Sequence, residues 1–434
     1  MNDKYDAIII GAGVIGSAVG YELSKKGWKT LNVDKNPVSG YGSTSTSCAI
    51  IRVYYSTFEG CAMAYESYHY WKNWSKYLEI HDQNVLSEFI DCGCMIYKTT
   101  HNNYLKKVIR LANELKIPYK TWSPKKIKSI LPIADLNEFG PVKPIKDKMF
   151  GKHNNKLLKG AVFFPNGGYI NDPQLATQNL QNSTEKKGGE FLFNSQVVEI
   201  IKKNGRVSGI VLSDGRKILS NVVINVAGPH SMKINELAGV HELNNIKTKA
   251  LKVEVSHVPS PKSFNFEKDG FVISDSDIGC YSRPETGNNI LIGGEEPECD
   301  EKIFVDPDDW DDNFSEQWNV QVLRQGQRYP TLPITSKVRG VVALYDVTDD
   351  WIPIYDKSDL PGYYMAIGSS GNQFKNAPVA GLLMSNLVEY CENGNDHDKE
   401  PLVMNLFHIK QKINLSFFSR NRTINKESSM SVLG

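Results

Sequence analysis

Residues 6–34 read DAIIIGAGVIGSAVGYELSKKGWKTLNVD: an apolar run, a glycine turn, a mixed stretch, a second apolar run and a closing acid. Ala7, Ile8, Ile9 and Ile10 are apolar without alternation, as a strand buried on both faces of a parallel sheet requires. Gly11 allows a tight turn, Gly13 lets the backbone approach a pyrophosphate, and Gly16 lets the next helix pack on the strand. That helix begins with Val14 and Ile15, runs to about Lys26 and stops at Gly27. Its free N–H groups and positive dipole end attract an anion without any side-chain charge. Thr30–Val33 makes the second strand, and Asp34 closes it beside Lys35, placed for ribose hydroxyls. A glycine turn with a strand before it, a helix after it and an acid at this distance implies a bound dinucleotide.

With 434 residues, 40% hydrophobic content and no apolar run of about 18 or more, the chain is long enough for two domains and has no membrane-spanning segment. Lysine plus arginine (50) balances aspartate plus glutamate (49), so no global field draws nucleic acid or an anionic membrane, and a small-molecule partner is expected. Residues 7–20 have the apolarity of a signal-peptide core, but no basic region precedes them and their glycines are spaced for phosphate; a cytoplasmic location is the expectation. The seven cysteines are scattered and include no Cys-x-x-Cys pair, so they read as free buried thiols. Cys92 and Cys94 lie in a strand-like apolar stretch and read as packing; no metal site is expected.

Past Asp34, a Gly-, Ser- and Thr-rich loop (36–47) leads through Ala49, Ile50 and Ile51 into Arg52. Tyr65, Tyr68, Trp71 and Trp74 recur at helical steps, which predicts one helix over about 58–80 with an aromatic core stripe. A helix at 104–115 precedes a lysine-rich, turn-rich elaboration ending near Lys159. From Gly160 come a strand, the turn Asn166-Gly167-Gly168, a helix over about 173–187, and strands through Val197, Val207 and Val222–Asn225, closed by Ala227-Gly228-Pro229. Strands over 250–292, a helix over 314–329, a strand at 363–367 and a helix over 378–391 follow. The expected fold is α/β: a Rossmann-like domain assembled from 1–90, 155–235 and 335–391, and an inserted mixed or antiparallel β-sheet substrate domain from 91–154 and 236–334. A polar tail over 392–434 carries a candidate docking segment at Leu402–Phe407.

Four blocks carry a resemblance: IIIGAGVIGSAVGYELSKKGWKTLNVDK (8–35), GSTSTSCAIIRVYYS (42–56), GGYINDPQLATQNLQNSTEKKGGE (167–190) leading to NVAGPHS, and GYYMAIGSSGNQFKNAPVAG (362–381). In this order, over almost the whole chain, they resemble the flavin-dependent amine and amino-acid oxidoreductases that include D-amino acid oxidase, glycine oxidase, sarcosine oxidase and dimethylglycine dehydrogenase. The sarcosine oxidase branch is the nearest in feel. The resemblance implies FAD, a small amino-acid substrate, and dioxygen or an electron carrier as acceptor, with oligomers open. It places Gly11, Gly13, Val14, Ile15, Gly16, Asp34 and Lys35 on the ADP half, and Ser43 and Thr44 on the phosphates. Val197 or Val198 contacts adenine through its backbone, and Ala227 and Gly228 border the cofactor. Gly371, Asn372, Gln373, Phe374 and Lys375 lie by the flavin ring, where donors and a positive charge stabilise its reduced form. Arg52 and Lys375 match the cations that meet the substrate carboxylate, the arginine as a fork and the lysine as a point charge. Tyr281 and Arg283 belong to the substrate cavity or to the core behind it, both readings open.

The chain also departs from the pattern. Ala343, in Ala343-Leu344-Tyr345-Asp346-Val347-Thr348, stands where monomeric sarcosine oxidases carry a flavin-tethering cysteine, and Thr46 stands where dimethylglycine dehydrogenase carries a histidine. Non-covalent FAD is implied. Leu291 stands in place of a lysine that assists dioxygen, and Gly371-Asn372-Gln373-Phe374 replaces Gly-His-Gly-Phe. The expected reaction oxidises an N-methyl or cyclic amino acid by hydride transfer to the flavin, giving an imine. One rival keeps FAD but oxidises a hydroxy acid or glycerol phosphate, a reading supported by the lysines from Lys143 to Lys159. Another is a non-catalytic flavin-holding subunit, in which Arg52 and Lys375 face away from any cavity.

Overall fold

In the computed structural model, which describes residues 4–82 and 85–433, Ala7–Ile10 is buried along its whole length. It lies inside a six-stranded sheet ordered Ile354–Lys357, Tyr363–Ile367, Val223–Asn225, Ala7–Ile10, Thr30–Val33, Glu190–Leu192. All neighbours are parallel except the edge strand Ile354–Lys357, so the sheet is doubly wound and built from separated stretches of chain. Helix Val14–Lys25 packs against both Ala377–Glu392 and Pro173–Lys186. The first of these crossings is close enough to need glycine: a Cβ on Gly381 would lie 2.5 Å from the Ala18 carbonyl oxygen.

A nine-stranded sheet forms the second body, running Ile303–Val305, Thr248–Pro259, Asn289–Gly294, Cys280–Glu285, Val272–Asp275, Cys94–Tyr97, Ala161–Phe164, Lys120–Trp122, with Gly340–Thr348 also on Thr248–Pro259. Only Val272–Asp275 with Cys94–Tyr97 is a parallel pair. Ala161–Phe164 and Gly340–Thr348 belong to this sheet although they fall inside 155–235 and 335–391, the segments read as cofactor domain. Hydrogen-bonded register decides membership: all nine residues of Gly340–Thr348 pair with Thr248–Ser256. Helix Glu316–Arg328 covers the sheet and buries Arg328, whose guanidinium bonds Asp275 at 2.7 Å and Asp277 at 2.9 Å.

The aromatic helix is two helices, Phe58–Lys72 and Trp74–Leu78, broken at Asn73, whose amide donates to the His69 carbonyl at 2.9 Å. The stripe is core, with Trp71 and Trp74 stacked at 4.3 Å.

The polar tail is folded into the body. Its hairpin, Val403–Leu406 with Gln411–Asn414, packs on helix Phe58–Lys72, where the buried Glu66 accepts from the backbone N–H groups of His408 and Ile409 at 3.0 and 3.1 Å. Arg420 is fully buried and bonds Asp356 and Asp398 at 3.0 Å and Asp359 at 2.6 Å. Arg420 and a few other charges of the segment pair inside the fold, so its polarity does not mark a free tail. Among the described residues no helix is long and apolar enough to cross a membrane, and all seven cysteines are free thiols.

Candidate functional site

A cavity of about 1200 Å³ runs from the glycine turn after Ala7–Ile10, past the loop 41–52, to the inner face of the nine-stranded sheet. It exceeds the roughly 300–1,000 Å³ of a pocket for one drug-sized ligand, leaving room for a dinucleotide and a small substrate together.

At the cofactor end, Gly11 has φ +117° and a Cβ there would lie 2.3 Å from the Val226 carbonyl oxygen. A Cβ on Gly16 would meet the Gly11 carbonyl oxygen at 2.3 Å, so helix and strand touch only through glycine. Asp34 accepts from Ala12 N through one oxygen and from Asn36 N through the other, each at 2.8 Å, tying the glycine turn to the end of the second strand. Gly13, Val14, Ile15 and Lys35 line this end, as do Val197, Val198, Ala227 and Gly228. Ser43 and Thr44 line it in different states. The Ser43 hydroxyl donates to the Leu344 carbonyl at 2.8 Å, whereas Thr44 Oγ1 accepts from Val14 N at 3.1 Å and keeps its own proton to give. A cradle closed to any Cβ, a helix N-terminus and a carboxylate at the strand end fit the ADP half of FAD.

The outer rim went unread in the sequence. Lys35 and Lys233 bond Asp308 at 2.9 and 2.7 Å, Lys233 also holds Asp306 at 2.5 Å, and His230 Nε2 lies 2.8 Å from Asp308. These lysine hydrogen bonds hold the Asp308 carboxyl far below the usual range, and burial lowers His230. The acidic stretch around Trp310 has no periodicity that could have foretold this contact, although His230 directly follows the Gly228-Pro229 turn.

At the opposite end, Arg52 and Lys375 both line the cavity and are 5% and 4% exposed. Arg52 donates to the Tyr54 carbonyl through Nη1, and through Nη2 to the Val432 and Leu433 carbonyls at 3.0 and 2.6 Å. Lys375 Nζ donates to the Asn372 carbonyl at 2.8 Å and to the Tyr55 hydroxyl at 3.3 Å. Burial, then the Arg52 charge, push the Lys375 ammonium well below the ordinary lysine range. Among the described residues neither cation has a carboxylate partner. Trp71 Nε1 holds the Lys375 carbonyl at 2.7 Å, and the Trp71 ring stacks on Phe374 at 5.4 Å, fixing the turn that carries the lysine.

Gly371, Gln373 and Phe374 line the cavity, but Asn372 does not. Its amide nitrogen turns to the Trp351 carbonyl at 3.4 Å, and its own carbonyl receives Lys375, so it positions the lysine. Tyr281 lines the cavity with Cys48, their OH and Sγ 3.5 Å apart, and Gly293 leaves it room: a Cβ there would sit 2.3 Å from the ring. Arg283 stays behind the lining. Glu285 pairs with it at 2.9 Å, the Cys48 carbonyl accepts its Nε at 2.7 Å, and the Tyr169 ring centre lies 4.4 Å away, so its charge is spent within the wall. Leu291, paired with Arg283 across the sheet, is also outside the lining. No lysine from Lys143 to Lys159 lines the cavity, which removes the ground for a phosphate site there. Sequence reasoning missed Tyr54, Tyr55, Val432 and Leu433; the last two belong to the tail, and nothing local marks them.

The FAD dependent oxidoreductase family profile matches residues 6–387. The chain is 26% identical to sarcosine oxidase subunit beta of Rhodobacter capsulatus over 396 residues, covering 89% of this chain and 85% of that protein. It is 23% identical to glycine oxidase of Geobacillus kaustophilus over 405 residues, covering 91% and 96%. Among solved structures, L-proline dehydrogenase from P. horikoshii superposes with a TM-score of 0.75 at 20% identity, covering 97% of this chain and 98% of that one. With the glycine cradle, the large cavity and the family match in agreement, this chain belongs to the FAD dependent oxidoreductases and is an FAD-dependent amine or amino-acid oxidase or dehydrogenase acting on CH–NH donors.

Proposed function

We propose that the substrate is a small secondary or tertiary N-methyl amino acid, of the sarcosine or dimethylglycine type, or a cyclic imino acid. One observation carries this reading: two cations, each at least nine-tenths buried, converge on one end of the cavity without an acidic partner among the described residues. Buried unpaired charge is costly, and an anionic ligand relieves it. A substrate carboxylate held by the Arg52 fork and the Lys375 ammonium leaves the amine and its C–H bonds directed along the cavity toward Gly371–Phe374. Bound FAD supplies the hydride acceptor for the CH–NH bond. The residues' part is orientation: Tyr54 and Tyr281 wall the substrate end, Tyr55 braces Arg52 and Lys375 from behind it, and no side-chain base is required. The names of the relatives, which include sarcosine, glycine and N-methyl-L-tryptophan oxidases, support this class. Non-covalent attachment of FAD is part of the proposal, because alanine and threonine occupy positions 343 and 46. A hydroxy acid could use the same carboxylate site, and steady-state turnover of N-methylglycine, N,N-dimethylglycine and L-proline against L-lactate separates the two. Turnover of lactate alone sinks the amine reading.

A further inference from the structure

The last described residues of the tail lie at the substrate end of the cavity. Val432 and Leu433 line it beside Arg52, and Val432 packs with Leu251, Val253, Val347 and Trp351. The approach is anchored: Arg422 clamps Asp350 through two nitrogens at 3.0 and 2.8 Å, Lys107 pairs with Glu427 at 2.6 Å, and Ser429 N donates to Ser56 Oγ at 3.2 Å. Beyond that point the chain turns on its own serines, with Leu433 N donating to Ser431 Oγ at 3.2 Å.

The donors this segment occupies matter chemically. A guanidinium grips a carboxylate through two parallel N–H groups on one edge, either Nη1 with Nη2 or Nε with Nη2, and both edges require Nη2. Here Nη2 serves two peptide carbonyls, Val432 at 3.0 Å and Leu433 at 2.6 Å, while Nη1 serves the Tyr54 carbonyl. No carboxylate can be forked until at least one tail carbonyl leaves. The exchange favours the newcomer at Arg52, because a hydrogen bond to an ionised acceptor is roughly twice as strong as one to a neutral carbonyl. The apolar seat of Val432 opposes it.

Resting on the reading of Arg52 as the carboxylate site, we propose that segment 428–433 is an internal ligand of Arg52 that an incoming substrate carboxylate displaces. The segment then acts as a selector. A ligand with a carboxylate opens the chamber, a ligand without one meets it closed, and the apparent affinity is reduced by the fraction of molecules in which the seat is open.

The test uses the FAD-loaded full chain and pyrrole-2-carboxylate as probe, followed by perturbation of the flavin absorbance, with hydrogen exchange read over 428–433. A variant ending at Glu427 keeps the Arg420, Arg422 and Lys107 anchors. The expected results are a Kd lowered tenfold or more in that variant, a smaller drop in Val432→Ala, and faster exchange of 428–433 in the parent when the probe saturates. A Kd that is unchanged or raised in both variants, or exchange over 428–433 that slows with probe, overturns the proposal. Arg52→Ala separates the two levels: if it weakens the probe while neither tail variant tightens it, only the displacement fails. If Arg52→Ala leaves the probe's Kd unchanged, the carboxylate reading fails and the displacement with it.

Discussion

The Arg52 guanidinium lies 4.2 Å from the centre of the Tyr55 ring. The hydroxyl of that tyrosine receives Lys375 Nζ at 3.3 Å, so one aromatic side chain joins two buried cations contributed from opposite ends of the sequence. Arg52→Ala is therefore expected to lower kcat/KM for an amino-acid substrate about 30-fold or more, the equivalent of the roughly 2 kcal/mol lower bound for truncating one side of a buried charge pair. Arg52→Lys should rescue little, because a point charge cannot reproduce the fork. Steady-state kinetics over a substrate series reads both; a variant within threefold of the parent contradicts the assignment.

Lys375 makes binding depend on pH. Burial and Arg52 depress its pKa, and a bound carboxylate restores the charged form. Between the depressed value and the ordinary lysine value near 10.5, a carboxylate ligand is expected to take up protons, and its affinity should weaken as pH rises. Calorimetry in buffers of different ionisation enthalpy measures this uptake, and Lys375→Met should abolish it.

Asp346 lies fully buried on Gly340–Thr348, where it accepts from Gly368 N at 2.6 Å, and burial raises its pKa from 3.8 to about 7. A folded-state pKa above the unfolded one means that the folded form binds more protons between these values. The contribution to stability is full below about pH 4 and is lost as pH rises through 7. Asp346→Asn keeps an acceptor for Gly368 and removes the titration, so the melting temperature of the variant should decline less than that of the parent between pH 4 and 7. Parallel melting curves would refute this.

Arg420 holds the tail to the body through Asp356, which is itself fully buried. Arg420→Ala leaves that carboxylate uncompensated and is expected to cost about 3–5 kcal/mol, by the usual penalty for breaking a buried pair. Denaturant unfolding of the variant checks the figure, and a loss below about 1 kcal/mol contradicts the contact.

What was legible in the sequence was what is local. The run Ala7–Ile10, the glycines at 11, 13 and 16 and Asp34 constrain one another within a single turn-and-helix unit, and their contacts follow from their spacing. Arg52 stood out because Ile50, Ile51 and Val53 surround it, and the structure puts it on the cavity wall with Lys375. Long-range pairs were hidden: Arg52 meets Val432 across 380 residues, and no periodicity in a serine-rich tail announces that partner. Composition misled in the same region, since charges that pair inside the fold look like solvated charges in a sequence. Arg283 was ambiguous for a similar reason, because its partner Glu285 lies on the same strand and consumes the charge before it can reach the cavity. Asn73, which breaks the aromatic helix, sits among residues whose spacing continues straight through it.

In the proposed reaction a carboxylate-bearing amine reduces the flavin from a seat on Arg52. The most direct measurement mixes the FAD-loaded protein anaerobically with N-methylglycine, N,N-dimethylglycine, L-proline, L-lactate and glycerol phosphate, and follows flavin absorbance in the parent and in Arg52→Ala. Bleaching by at least one of the three amino acids is expected in the parent, slowed or lost in the variant. Bleaching by lactate or glycerol phosphate alone, or bleaching by an amino acid that Arg52→Ala leaves untouched, would contradict it.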